Sequence, residues 1–331
     1  MATRTRYAPD RGLTVRMTVT MFLLGLVFVV FVAAIIGALV AAHQSAGFIV
    51  VIALVFGGGS AFISLFYSDK IALAAAGGRV VSPQEAPELH GIVDRLCALA
   101  DMDKPRVAIA PTSMPNAFAT GRNSKNSVLC VTEGLLSPRL GLDKDELEGV
   151  LAHELSHVAH KDVQVMTVAS LLAIVAGLLV RFAFYSELFG GGRRNNNQNA
   201  LPIIAIIMVV SVVVYAISFL LIRVLSRYRE LAADRSGALL TGQPSKLASA
   251  LTKVSNGMSA IPAQDLRTAE PMNAFYFAPA MKLQRGGGRQ AGGSSLSAIF
   301  STHPSLDKRL EQLAKIQAQL NDVSPGAKGL K

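Results

Sequence analysis

Four long apolar stretches constrain this chain more than any other feature. They run from about Met17 to Ala42, Gly47 to Phe66, Val163 to Phe184 and Leu201 to Ile222. A helix needs about 20 apolar residues to cross the hydrocarbon core of a bilayer, and each block supplies them. Only 16% of the 331 residues are charged, against roughly 25% in an ordinary soluble domain. The first block follows Arg4, Arg6, Arg11 and Arg16, which is the charge order of a signal peptide. Its length far exceeds the apolar region of about 7–15 residues in such a peptide, so it reads as a retained anchor.

Charges at the block ends set the expected orientation. Arg4, Arg6, Arg11, Arg16, Lys70, Arg79, Lys144, Lys161, Arg223, Arg227, Arg229 and Arg235 fall on one side, and only Arg193 and Arg194 on the other. Lysine and arginine concentrate on the cytoplasmic side. The reading is therefore a multi-pass protein of the inner (plasma) membrane with both termini cytoplasmic. It divides into a tail at 1–16, a transmembrane hairpin at 17–66 (spans 17–42 and 47–66) and a cytosolic part at 67–162. A second hairpin follows at 163–222 (spans 163–184 and 201–222, extracytoplasmic loop 185–200), then a second cytosolic part at 223–331. Arg181, near the outer end of the third span, reads as a side chain reaching the interface.

The net charge of +10 sits at the span ends, and the chain has no zinc finger or base-stacking aromatic motif, so nucleic acid is excluded as a partner. The two cysteines, Cys97 and Cys130, make neither a disulfide framework nor a CxxC metal site, and read as small core residues of a reduced compartment.

Between the hairpins, Leu89, Ile92, Val93, Leu96 and Leu99 fall on one face of a helix expected over 84–101. Runs rich in β-formers at Arg106–Ala110, Ala117–Arg122 and Ser127–Thr132 predict a small antiparallel sheet. Asp143 and Glu146 have capping-box spacing, so a helix is expected from Lys144, with Leu147, Val150, Leu151, Leu155 and Val158 as its apolar face. Gly190–Asn199 and Arg285–Ser297 read as flexible loops, and Ser305–Leu320 as a final amphipathic helix. The fold class is thus a mainly α membrane protein with four spans and a cytosolic α+β zincin-like domain.

That second helix carries His153-Glu154-Leu155-Ser156-His157, the pattern HExxH. Residues four apart share a helix face, so both imidazoles can reach one metal ion, and the intervening Glu154 can take a proton from the water it activates. With ten glutamates and six histidines, random placement gives roughly 0.003 such matches. His160 lies about 10 Å along the axis from His153, beyond comfortable reach of the same ion, and reads as an interfacial histidine. Glu230 is the candidate third ligand. It lies on a helical continuation of the fourth span, eight residues past its end, while His157 and His153 precede the third span by six and ten residues. At 1.5 Å per residue all three stand roughly 9–15 Å above one membrane surface. Asp234, one turn beyond Glu230, can orient a ligand histidine through its second ring nitrogen.

These residues bring a resemblance into view. PNAFATGRN (Pro115–Asn123), EGVLAHELSHVAHKD (Glu148–Asp162), SRYRELAADRSGA (Ser226–Ala238), MNAFYFAPA (Met272–Ala280) and STHPSLDKRLEQL (Ser301–Leu313) resemble the HtpX family of bacterial membrane metallopeptidases, relatives of the CAAX prenyl protease. The resemblance implies one zinc per subunit held by His153, His157 and Glu230, Glu154 as catalytic base and Asp234 behind a ligand. It implies an active-site edge strand at Asn116, Ala117, Phe118 and Ala119 that pairs with an extended substrate. It also implies quality control of misfolded membrane proteins under stress.

The expected activity is metal-assisted hydrolysis of peptide bonds in polypeptides, membrane proteins above all, at the bilayer surface. His303, in Thr302-His303-Pro304, is the candidate donor to the oxyanion. Three rival readings are weaker. A site-2-type protease places HExxH inside an apolar span, whereas charged residues flank it here. Four spans leave little to enclose the large chamber of a prenyl-protein protease. A scaffold or transporter with a structural metal site lacks its usual sign, polar residues at the membrane midplane. No oligomeric state is specified.

Overall fold

The computed structural model describes residues 11–41, 58–190, 200–259 and 302–323. Among the described residues, three helices are long and apolar enough to cross a membrane, over Arg11–Gly37, Asp162–Arg181 and Ala205–Thr241. They belong to α1 (Arg11–Ala41), α6 (Asp162–Gly190) and α7 (Ala200–Thr241). The expected span at 47–66 lies mostly outside the described residues, and its end enters α2 (Gly59–Ala75). Of the expected flexible stretches, 191–199 and 285–297 also lie outside them, while Gly190 ends α6.

Phe31 and Ile35 of α1 pack on Leu172, Ala176 and Leu179 of α6 and on Val214 of α7. Small residues let these helices approach: a Cβ on Gly177 would touch the Tyr215 ring at 3.4 Å. Phe22, Val29, Val30, Val209 and Val213 face outward from the bundle, as a lipid-facing surface requires.

The sheet runs in the order β1-β2-β4-β3, with β1 at Arg79–Val80, β2 at Arg106–Ala110, β3 at Ala117–Asn123 and β4 at Asn126–Thr132. It is mixed, which corrects the antiparallel expectation. β1–β2 and β3–β4 are antiparallel, but β2 and β4 are parallel, with Ala108 opposite Cys130. Alternation of side chains identifies a strand and not its neighbour. Here the segment after β2 crosses over, so β3 lands on the edge and the β3–β4 hairpin returns β4 beside β2. Thr132 extends the β3–β4 ladder by one pair: its N–H donates to the Asn116 carbonyl at 3.0 Å, and the Asn116 N–H donates to its hydroxyl at 2.8 Å.

One core joins the sheet to α3 (Pro87–Ala100), α5 (Lys144–Ala159), α8 (Pro244–Ser259) and α9 (Leu306–Val323), α4 being the single turn Glu133–Leu136. Leu96, Leu129, Leu151, Leu155, Leu247, Leu251 and Leu313 are fully buried there. Leu99 departs from its expected place, being 48% exposed at the end of α3, where Asp101 turns the chain with φ 54°. The capping box at Asp143 is present. The Glu146 N–H donates to Asp143 Oδ1 at 2.8 Å, and the Asp143 N–H to Glu146 Oε2 at 2.7 Å. Glu146 also accepts from Lys253 and Ser249, which fastens α8 across the start of α5.

Candidate active site

Helix α5 presents His153 and His157 on one face, their rings edge to face with centroids 4.9 Å apart. Helix α7 crosses that face. The crossing is close because residue 237 is glycine: a Cβ there would lie 2.9 Å from the backbone nitrogen of His153. Two turns before Gly237, Glu230 points back at both imidazoles. Its oxygens lie 3.7 Å from Nε2 of His153 and 3.7 Å from Nε2 of His157. One donor atom from each of the three residues falls within 4.8 Å of the others.

The far nitrogen of each imidazole has its own carboxylate. His153 Nδ1 is 3.0 Å from Asp234 Oδ1, and His157 Nδ1 is 2.6 Å from Asp162 Oδ2. In the tautomer with the ring proton on Nδ1, toward the carboxylate, each Nε2 presents its lone pair to the space beside Glu230. Each carboxylate is braced by an arginine. Arg309 donates two bonds to Asp234, from Nε at 2.7 Å and Nη2 at 2.6 Å, and Arg229 lies 2.7 Å from Asp162. Burial by itself would lower the pKa of His153, but Asp234 and Glu230 outweigh it and push it up to about 9. The field between the imidazoles therefore favours a positive charge, and the donor set of two nitrogens and a carboxylate suits a metal cation.

Glu154 is buried beside this cluster, and burial raises its carboxyl above the ordinary range against the pull of His153 and His157. His303, just before α9, brings Nδ1 to 3.2 Å from Glu230 Oε2. Glu154, His153, His157 and His303 line a cavity of about 330 Å³. Phe118, Ala119 and Thr120 of edge strand β3 form one wall, and Ser64, Thr167, Ser170 and Ile174 extend it along α2 and α6. The Thr167 hydroxyl donates to the Val163 carbonyl, so the 2.9 Å contact with Ser64 has Ser64 as donor.

A comparison with protein families decides the class: the family model described as "Peptidase family M48" matches residues 83–317. The chain belongs to peptidase family M48. "Protease HtpX homolog 1" of Streptomyces coelicolor is 57% identical over 98% of this chain and 99% of its own length. "Protease HtpX homolog" of Moorella thermoacetica is 46% identical over 96% of this chain and 99% of its own. Among solved structures, S. mikatae Ste24p matches with a TM-score of 0.50 at 16% identity, over 92% of this chain and 66% of that longer one. At that identity the likeness concerns the fold alone. As an M48 member related to HtpX proteases, the chain is a membrane metalloprotease, and the family implies a metal cofactor.

Within this M48 chain the expected site residues stand as follows. His153, His157, Glu230, Glu154, Asp234 and His303 come together. Phe118 and Ala119 line the cavity, whereas Ala117 is buried in the core and the Asn116 backbone is bound to Thr132. His160 caps the end of α5 with its Nε2 3.2 Å from the Ser236 hydroxyl, outside the three-residue cluster.

Four residues of the site escaped the sequence reading: Asp162, Arg229, Arg309 and Gly237. Asp162 is, in the sequence, one of the charges that flank HExxH. It reaches His157 because Lys161, at φ 56°, breaks the chain between α5 and α6. Arg309 did carry a signal. It falls three residues after Leu306 and four before Leu313, on the apolar stripe of α9, where a charge needs a buried partner.

Proposed function

We propose that this M48 metalloprotease is a zinc endopeptidase that cleaves misfolded or damaged membrane proteins at the cytoplasmic surface of the plasma membrane. His153, His157 and Glu230 would hold one zinc per chain. The single observation that carries this is the convergence of both Nε2 atoms on Glu230 while each Nδ1 is held by a separate carboxylate. A zinc ion bound there supplies Lewis-acid polarisation of water and of the scissile carbonyl.

The remaining steps belong to the chain. Glu154 accepts the proton of the attacking water and returns it to the leaving amine, a role that suits its raised carboxyl pKa. His303 donates to the carbonyl oxygen as its negative charge grows. The substrate backbone adds to β3, the edge strand among the described residues. Asn116 turns its backbone toward Thr132, so by alternation Ala117 and Ala119 direct theirs to the open edge. Supporting a membrane substrate, the cavity continues past the catalytic carboxylate to Ile174, well inside the apolar part of α6. The excess of lysine and arginine on one side supports the cytoplasmic placement of the site and both termini.

Digestion of casein and of an unfolded membrane protein tests the reading. Wild type with zinc should cleave both, and cleavage should stop with chelator and in Glu154→Gln. Wild-type rates in Glu154→Gln would refute the mechanism. Cleavage of casein but never of any membrane protein would refute the substrate class.

A further inference from the structure

A second cavity, of about 400 Å³, opens between the first turns of α1, the charged end of α7 and one face of α9. It shares no lining residue with the catalytic cavity. Its walls carry four cations, Arg16, Arg235, Lys308 and Lys315, against one carboxylate, Glu311. That carboxylate is engaged already, accepting from Lys315 Nζ at 2.6 Å within α9. Nε of Arg235 is buried and has no hydrogen-bond partner among the described residues. Buried guanidinium N–H groups ordinarily find an acceptor, so the cavity is short of an acceptor, and its excess of cations favours an anionic one.

A second observation specifies what kind of anion. On α1 the cavity wall at Arg16 adjoins Val15, Val19 and Phe22, all exposed and all on a helix long and apolar enough to span. A cationic cavity beside an exposed apolar strip complements an amphiphile with an anionic head. A free phosphate ion would use only the cationic half. We propose that this cavity binds the phosphate headgroup of an anionic phospholipid, its acyl chains lying along Val15, Val19 and Phe22. The proposal rests on α1 lying in the bilayer and is independent of the zinc assignment. It links to the active site through α9, where Lys308 faces this cavity and Arg309 holds Asp234.

The test uses the full chain in neutral detergent, offered equal amounts of phosphatidylglycerol and phosphatidylcholine and read by native mass spectrometry. One surface cation near an anionic headgroup contributes about fivefold in binding. Wild type should retain phosphatidylglycerol at least about fivefold over phosphatidylcholine. Arg235→Gln combined with Lys308→Gln should erase the preference, and Arg235→Lys should keep most of it. Arg16→Gln, at an exposed position that leaves folding undisturbed, should lower it by about fivefold. Millimolar inorganic phosphate should leave the bound lipid in place. Equal retention of the two lipids, or an unchanged preference in Arg16→Gln and the double variant, would overturn the proposal. Full displacement by inorganic phosphate would overturn it in favour of a free-anion site.

Discussion

Nδ1 of His157 lies 2.6 Å from the carboxylate of Asp162, and Asp162 is the first residue of α6, a helix long and apolar enough to cross a membrane. The apolar helix thus begins with a carboxylate that faces one imidazole of the candidate metal site. Removing the carboxylate weakens the ligand without touching the metal directly. Asp162→Asn should lower zinc affinity by about 10–100-fold, measured by chelator competition, while the chain stays folded. Unchanged affinity would show that Asp162 serves only as a partner for Arg229.

Arg309 and Asp234 are both buried, and each is the other's charge partner. Arg309→Met should cost about 3–5 kcal/mol of stability, because it strands a buried carboxylate. Adding Asp234→Asn should restore part of that stability but lower zinc affinity, since His153 then loses its carboxylate. Thermal unfolding of the holo and chelated forms separates the two effects.

Gly237 is where α7 meets α5. A methyl group at this position meets the backbone of His153 and Ala152, which has no rotamer to change. Gly237→Ala should separate the helices, move Glu230 away from the imidazoles and reduce proteolysis by at least about tenfold, although alanine is the better helix former. Activity near wild type would show that the crossing has slack.

Acid should loosen the junction of α5 with α8. Burial raises the Glu146 carboxyl, but the Lys253 ammonium, the Ser249 hydroxyl and the Asp143 N–H outweigh it and hold the pKa below 4.5. A carboxyl with a depressed folded-state pKa adds stability above its unfolded value, and that stability fades as pH falls through the folded one. Melting temperature should therefore drop below about pH 4.5 more steeply in wild type than in Glu146→Gln. Parallel curves would remove Glu146 from the account.

The cysteines should be inert. Burial pushes Cys97 up to about 11 and Cys130 up to about 12, and both are buried. Native protein at neutral pH should resist alkylation by maleimide at both positions and react after unfolding.

The site was legible in the sequence where its geometry is local. His153, Glu154 and His157 follow from helical spacing. Glu230 and Asp234 follow because a second long apolar helix continues past its apolar part by a comparable number of residues. Asp162, Arg229, Arg309 and Gly237 depend on contacts between elements far apart in sequence, or on one residue with a positive φ, and spacing does not report these. The mixed sheet is illegible for a similar reason, since strand direction depends on which neighbour the chain reaches after β2 and not on alternation. Leu99 shows the converse, a residue that fits the apolar period of α3 but falls where the helix runs out.

The central claim is that three residues hold the metal and a fourth moves the proton. Zinc content per chain, measured alongside proteolysis in wild type, Glu154→Gln and Glu230→Ala, separates these roles. The expected result is one zinc and full activity in wild type, one zinc and no activity in Glu154→Gln, and neither in Glu230→Ala. A Glu230→Ala chain that keeps its zinc, or a Glu154→Gln chain that cleaves at the wild-type rate, would contradict it.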